Sequence, residues 1–447
     1  MSRVSLTLDE IDAARRQRGR AALLYVTDRC PVGCAHCSVD ARPLGGRITD
    51  WPRYERVLDL LCAEPALEVV GISGGEPFTE RRGLTLAARR LTEAGKLIVP
   101  YTSGNWAAAP PPAGSWPREI LRASACLILS TDAYHATRLP PQSFINAART
   151  AAEEGTWIAV QVATPPREPD PSPTNLAAAE PTTVRPFPPP ESREPEPGSA
   201  NPTLPAPQTR EPGTGSHGTT HPTPATGRTP AAAPPAHTSG SPAGIRQTPG
   251  PHGTAPATGR TPEPAPPARP ARVARNASSR GPGVGREVEA AQALLRRAFG
   301  GGWESYAEVR AVPLLGYGRG AGVVGPVGVR AGGGLGRCDV AGTPVVRYDG
   351  GVSACCNEVV AAGGGPDGLR RHVDQPDVLA RLARDPYLTV LGAHGASALT
   401  RLPEFQALAG APAAGLCDLC WKLVRTGRTD SPAVRALALL PASGRAK

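Results

Sequence analysis

Cys30, Cys34 and Cys37 fall within eight consecutive residues, in the stretch VTDRCPVGCAHCSVD. The chain has ten cysteines in 447 residues, so three on one short loop point to a metal. Three thiolates on a tight loop can hold three irons of a cubane iron–sulfur cluster and leave the fourth iron for an external ligand. The alternative is a structural zinc site, which needs a fourth protein ligand, and His36 is the one at hand.

Other segments carry polar groups suited to a ligand beside such a cluster. GISGGEPF offers Gly74, Gly75, Glu76 and Pro77. Its glycines let the backbone approach a polar ligand closely, and a carboxylate accepts hydrogen bonds from an ammonium. An ordinary strand-to-helix turn has the same composition. LSTDAYHATRLPP places Ser130 and Asp132 two residues apart, on one face of a strand end. His135 follows just past the tip, as an ordering hydrogen bonder or as an acid or base. YTSGNW adds Asn105 after Thr102, Ser103 and Gly104.

Taken together these segments resemble the radical S-adenosylmethionine (SAM) enzymes. Cx3Cx2C after a first strand, GGEP after a second, a TxG-like turn after a third and an SxDxxHxxxxP-like pattern after a fourth match motifs of that family over about residues 20–163 and 287–325. The resemblance implies a [4Fe–4S] cluster on Cys30, Cys34 and Cys37 whose open iron chelates SAM, reductive cleavage of SAM, and a 5′-deoxyadenosyl radical that abstracts hydrogen. It also implies that Gly74, Gly75, Glu76 and Pro77 meet the SAM amino group. Ser130 and Asp132 would contact its ribose or methionine carboxylate, Asn105 would be a further contact, and the glycine-rich PLLGYGRGAG would face adenine.

A second cysteine set lies near the C-terminus. Cys338 precedes TPVVRYDGGVSACC, which contains Cys355 and Cys356, and GLCDLCWKL adds Cys417 and Cys420. The β-rich arms around Asp349-Gly350-Gly351 read as a hairpin, and a hairpin cysteine with a distant CxxC can enclose a metal in four thiolates. This spacing resembles the twitch domain, the short relative of SPASM domains, which implies one auxiliary [4Fe–4S] cluster on Cys338, Cys355, Cys417 and Cys420. Zinc is the alternative. Either Cys355 or Cys356 can be the ligand, and the other is a buried neighbour or a thiol able to give a hydrogen atom to a substrate radical. Cys62 and Cys126 read as core residues.

The elements that must position these groups are legible as apolar runs. ALLYVT (22–27), EVVGIS (68–73), KLIVPYT (96–102), CLILST (126–131), WIAVQVA (157–163) and YAEVRAVP (306–313) alternate with segments whose apolar residues recur three and four apart. The class is α/β: a partial (βα)6 parallel barrel with a small C-terminal β-hairpin-plus-helix cluster domain, functional groups belonging at the C-terminal strand ends. The expected organisation is a polar N-terminal segment (1–19), the first part of the barrel (20–163), an insertion (164–285), the last part of the barrel (286–330), the auxiliary domain (331–430) and a tail (431–447). The insertion is Pro-, Ala-, Gly-, Thr- and Ser-rich, repeats ATGRTPAAAPPA (225–236) as ATGRTPEPAPPA (257–268), and is expected to be disordered for want of apolar surface.

A formal charge of +10 suggests nucleic acid, but the cations are scattered arginines with Lys only at 96, 422 and 447, so no basic stripe is formed. No apolar run approaches the ~20 residues of a membrane-spanning helix. Nucleic-acid and membrane partners are therefore not expected, and a cytoplasmic location, where thiols stay reduced, is. The family resemblance implies a flavodoxin- or ferredoxin-type electron donor. It also implies oxidative modification or cross-linking of a peptide in natural-product maturation, with a separate peptide-recognition protein since few residues precede the first strand. Oxidation of a small-molecule or sugar intermediate is the second expectation. A non-enzymatic iron–sulfur or zinc sensor or scaffold is the alternative of another class.

Overall fold

A computed structural model describes residues 4–164, 282–314, 319–324, 330–331, 335–413 and 415–441. Residues 165–281 of the expected insertion, with both repeats, lie outside the described residues, as do 315–318 of the glycine-rich turn and 442–447 of the tail.

Six parallel strands form the frame: β1 (Ala21–Tyr25), β2 (Val69–Ser73), β3 (Leu97–Thr102), β4 (Leu127–Ser130), β5 (Ile158–Thr164) and β6 (Ala307–Pro313). Each pairs with the next in sequence, with Leu23 opposite Gly71 and Ser130 opposite Gln161. Between them run α2 (Trp51–Ala63), α3 (Arg81–Glu93), α4 (Trp116–Ala123), the short α5 (Ala133–Ala136), α6 (Pro141–Glu153) and α7 (Pro282–Phe299). The helices start where the sequence supplies caps or prolines: Asp50 accepts from the Arg53 amide, and Pro52, Pro117 and Pro141 occupy first turns.

Among the described residues the ladder does not close on itself: β6 pairs only with β5, and the far side of β1 is taken by β8 (Ala341–Arg347). β8 runs parallel to β1 and then turns through Asp349 and Gly350 into the antiparallel β9 (Gly351–Cys355), followed by β10 (Arg370–His372). The expected hairpin is therefore an extension of the main sheet. The two-residue β7 (Arg330–Ala331) pairs separately with β11 (Pro412–Ala413).

Two cores follow from strand alternation. On the helix side, Leu24, Val26, Val70 and Ile72 meet Tyr54, Leu58, Leu84 and Leu91 of α2 and α3. On the inner side, Ala21, Val69, Val99, Ile128 and Ala159 are covered by Leu8, Ile11 and Ala14 of α1 (Leu8–Arg16). The polar N-terminal segment thus holds a helix with a Thr7/Glu10 capping box, whose apolar stripe seals one end of the inner face. Among the described residues no helix is long and apolar enough to cross a membrane.

Candidate metal and cofactor site

The Cys30, Cys34 and Cys37 loop leaves the C-terminal end of β1, as parallel-sheet chemistry requires. It is pinned from several sides. The Cys30 amide donates to the Arg42 carbonyl at 3.0 Å and the Cys37 amide to the Cys34 carbonyl at 3.2 Å. Asp28, two residues before Cys30, receives both terminal nitrogens of Arg347 at 3.1 and 2.8 Å and the Tyr348 hydroxyl at 2.8 Å. Arg319, just past β6, donates its amide to the Cys37 carbonyl at 2.9 Å and Nε to the Cys34 carbonyl at 3.0 Å. Its Nη1 holds Asp40 at 2.8 Å and the Ala41 carbonyl at 2.9 Å. Sequence reading missed both clamps, because nothing local marks an arginine beyond the sixth strand, or one from a hairpin, as a partner of the first loop.

The chemistry of the donors fits a metal cluster. Burial pushes the Cys30 thiol up to about 11, against hydrogen bonds from the Val32 and Gly33 backbone that favour the thiolate. Gly33 has φ +65°, a conformation that costs a side-chain-bearing residue energy, and it is what turns the loop so that backbone donors face the Cys30 sulfur. Burial likewise raises Cys37. A bound metal reverses this balance by taking the thiolate directly.

The GGEP segment lies directly against this loop. The Gly75 amide donates to the Thr27 carbonyl and the Glu76 amide to the Arg29 carbonyl, both at 2.7 Å. A Cβ on Gly74 would stand 2.3 Å from the Thr27 oxygen, and one on Gly75 2.0 Å from the Arg29 oxygen. Only glycine permits this approach. Glu76 is fully buried and its carboxylate accepts four hydrogen bonds: the Thr102 hydroxyl at 2.8 Å, the Phe78 amide at 3.2 Å, and the Ser103 amide and hydroxyl at 2.9 and 2.6 Å. Those donors occupy the lone-pair sites of a carboxylate, so its side chain ties the β2 turn to the β3 turn. Burial nonetheless raises its pKa.

Ser130 ends β4, and Asp132 caps α5 by accepting from the Tyr134 and His135 amides, both at 2.9 Å. The other Asp132 oxygen lies 2.9 Å from His135 Nδ1 and 3.3 Å from His36 Nε2. Despite its burial, this pairing holds the Asp132 carboxyl well below the usual range. Against burial, Asp132 and the sulfur of Cys34 raise His135 to about 10. His36, Asp132 and His135 present ligand atoms within 4.8 Å of one another, beside Cys34. Asn105 opens a 3-10 turn after Gly104, with its Oδ1 buried and without a partner.

The second cysteine set also converges. Cys338 precedes β8, Cys355 ends β9, and Cys417 and Cys420 sit on the helix Leu416–Arg425. Cys338 feels the charge of Cys417 and Cys356, Cys355 that of Cys356, Cys420 and Cys338, and Cys420 that of Cys338 and Cys417. Burial pushes Cys338 and Cys420 up to about 12, and the Tyr387 hydroxyl donates to the Cys420 sulfur at 3.1 Å. At the adjacent Cys356, Arg15 Nη2 donates to the sulfur at 3.3 Å, and the side chain packs among Leu23, Tyr25 and Val345 on the inner face.

No protein-family model and no curated protein matches the chain. Among solved structures it is similar to Streptococcus suis SuiB bound to S-adenosylmethionine, with 18% identity over 34% of this chain and 36% of that one at a TM-score of 0.27. It is similar to native anSMEcpe with bound AdoMet and Cp18Cys peptide, with 13% identity over 33% of this chain and 44% of that one at 0.26. BtrN in complex with AdoMet and 2-DOIA has 14% identity over 32% and 56% at 0.24. The chain spans about one third to just over half of the length of these proteins. Likenesses this partial carry no weight for its fold or activity.

Proposed function

We propose that this chain is a radical SAM enzyme with an auxiliary iron–sulfur cluster. The observation that carries the reading is the contact between the three-cysteine loop and the GGEP turn at the C-terminal ends of neighbouring parallel strands. When bound, a [4Fe–4S] cluster with SAM on its open iron supplies one-electron cleavage of SAM and a radical able to take hydrogen from unactivated carbon.

The chain's own residues supply placement. Cys30, Cys34 and Cys37 hold the cluster on a loop fixed by Asp28, Arg319 and Arg347. Gly74 and Gly75 would bring backbone up to the SAM amino group, while Glu76 locks that turn to Thr102 and Ser103. Ser130 and Asn105 would meet further polar groups of SAM, and Asp132 orders His135 and His36 next to Cys34. Cys338, Cys355, Cys417 and Cys420 hold the auxiliary cluster. Four protein thiolates leave it no open position, which favours an electron-accepting role and so an oxidative outcome. The resemblance of this set to twitch domains fits a peptide as the first substrate class and a small-molecule or sugar intermediate as the second.

Anaerobic reconstitution with iron and sulfide, followed by a dithionite assay for 5′-deoxyadenosine, tests the reading. Formation that depends on Cys30, Cys34 and Cys37 supports it. An iron-loaded chain that never cleaves SAM contradicts it and favours a sensor or scaffold.

A further inference from the structure

Arg15, in the last turn of α1, is a cation held on the inner face of the sheet with no carboxylate at ion-pair distance among the described residues. Its Nε is buried with no partner, and Nη2 is spent on the weak acceptor sulfur of Cys356 at 3.3 Å. Of the two carboxylates that feel its charge, Asp12 pairs with Arg310 at 2.5 Å and Glu358 is pushed up by burial. Among the described residues no ion pair is closed on Arg15.

A half-buried guanidinium loses part of its hydration, and Asp12 and Glu358 offset this only from a distance. The chain nevertheless builds the position, through the seating of α1 on the inner face and a hydrogen bond from the Thr343 hydroxyl to the Arg15 carbonyl at 3.2 Å. Tyr25 and Tyr101 pack with Cys356 on this face, and Tyr101 lies within charge range of the guanidinium. Arg15 and Cys356 are half-buried.

We propose that Arg15 anchors a carboxylate of the substrate on this inner face, with Tyr25, Tyr101 and Cys356 around it. A guanidinium presents a planar fork that a carboxylate meets with two hydrogen bonds, which would supply the missing ion pair. That the ligand is the substrate rests on the proposed radical SAM function; the anion site itself does not.

The test measures binding to the reconstituted full-length chain by calorimetry, using glutarate, the peptide Ac-Gly-Glu-Gly-NH2 and its neutral counterpart Ac-Gly-Gln-Gly-NH2. At least one acid should bind about tenfold or more tightly than the neutral peptide. Glutarate binding alone marks a small acid, and binding of the Glu peptide marks a peptide side chain. Arg15→Met should abolish the preference. Arg15→Lys, which keeps the charge and guards against misfolding of the first variant, should weaken acid binding several-fold and leave the neutral peptide unchanged. Equal binding of Glu and Gln peptides with no binding of glutarate, or a preference that survives both substitutions, overturns the proposal. SAM cleavage is scored separately on the same preparations, so failure of one reading is distinguishable from failure of the other.

Discussion

Gly75 and Thr27 are joined by a 2.7 Å hydrogen bond from amide to carbonyl, and this contact makes two distant sequence motifs into one site. A Cβ at position 75 would meet the Arg29 oxygen at 2.0 Å and force the loop before Cys30 outward. Gly75→Ala is expected to lower iron bound at Cys30, Cys34 and Cys37 and to reduce SAM cleavage by about tenfold or more, in line with the cost of displacing catalytic groups by an ångström. Iron at the C-terminal set should be unchanged. Full loading of both sites in Gly75→Ala would show that the contact does not position the loop.

Glu76→Gln keeps shape but replaces one acceptor oxygen with an amide group, facing either the Ser103 amide and hydroxyl or the Thr102 hydroxyl and Phe78 amide. Leaving buried donors unpaired costs about 1–3 kcal/mol. Chemical denaturation of the metal-free chain should show a loss of that size. No loss would mean that the tie between the β2 and β3 turns is not needed for stability.

Arg319→Met removes the Nε and Nη1 donors to Cys34, Asp40 and Ala41 while keeping an aliphatic stem. The reconstituted variant should lose iron from the first site to a chelator several-fold faster than the wild type, with the auxiliary site as internal control. Equal rates at the first site would remove Arg319 from the account.

Cys355 lies within charge range of Cys338 and Cys420, whereas Cys356, also within charge range of Cys338, has its sulfur bound by Arg15. Cys355→Ser should therefore abolish auxiliary iron, and Cys356→Ser should retain it. The reverse pattern by iron analysis would overturn the ligand assignment.

Metal uptake should depend on pH in a fixed direction. Burial pushes Cys30 up to about 11 and Cys338 and Cys420 up to about 12, so the metal-free thiols carry protons at neutral pH and metal must expel them. Apparent affinity should rise with pH between 6.5 and 8.5, by up to about tenfold per pH unit for each thiol that loses a proton. Cobalt(II) titration followed by the thiolate charge-transfer band checks this. A pH-independent midpoint would mean that the thiols are already ionised.

Much of the frame was legible because it rests on local pattern. The apolar runs place all six parallel strands within a residue or two, and the hairpin turn falls at Asp349 and Gly350. The sequence did not show where the sheet's edges lie: β8 pairs with β1, and no periodicity encodes a partner hundreds of residues away. α1 was hidden by its charges, since only Leu8, Ile11 and Ala14 of it are buried. In the site, residue types marked the cysteines and glycines, whereas the long-range clamps Asp28–Arg347 and Arg319 left no local signal. The sequence marked Glu76 as a carboxylate for an ammonium ligand, whereas the structure shows its oxygens filled by Thr102, Phe78 and Ser103.

The central claim is tested most directly by counting iron and assaying 5′-deoxyadenosine in the anaerobically reconstituted chain and in the triple variant Cys30→Ala/Cys34→Ala/Cys37→Ala. The account predicts about eight irons in the wild type, four for each cubane, falling to about four in the triple variant with complete loss of 5′-deoxyadenosine. Wild-type protein that fills with iron yet releases no 5′-deoxyadenosine under reduction would contradict it.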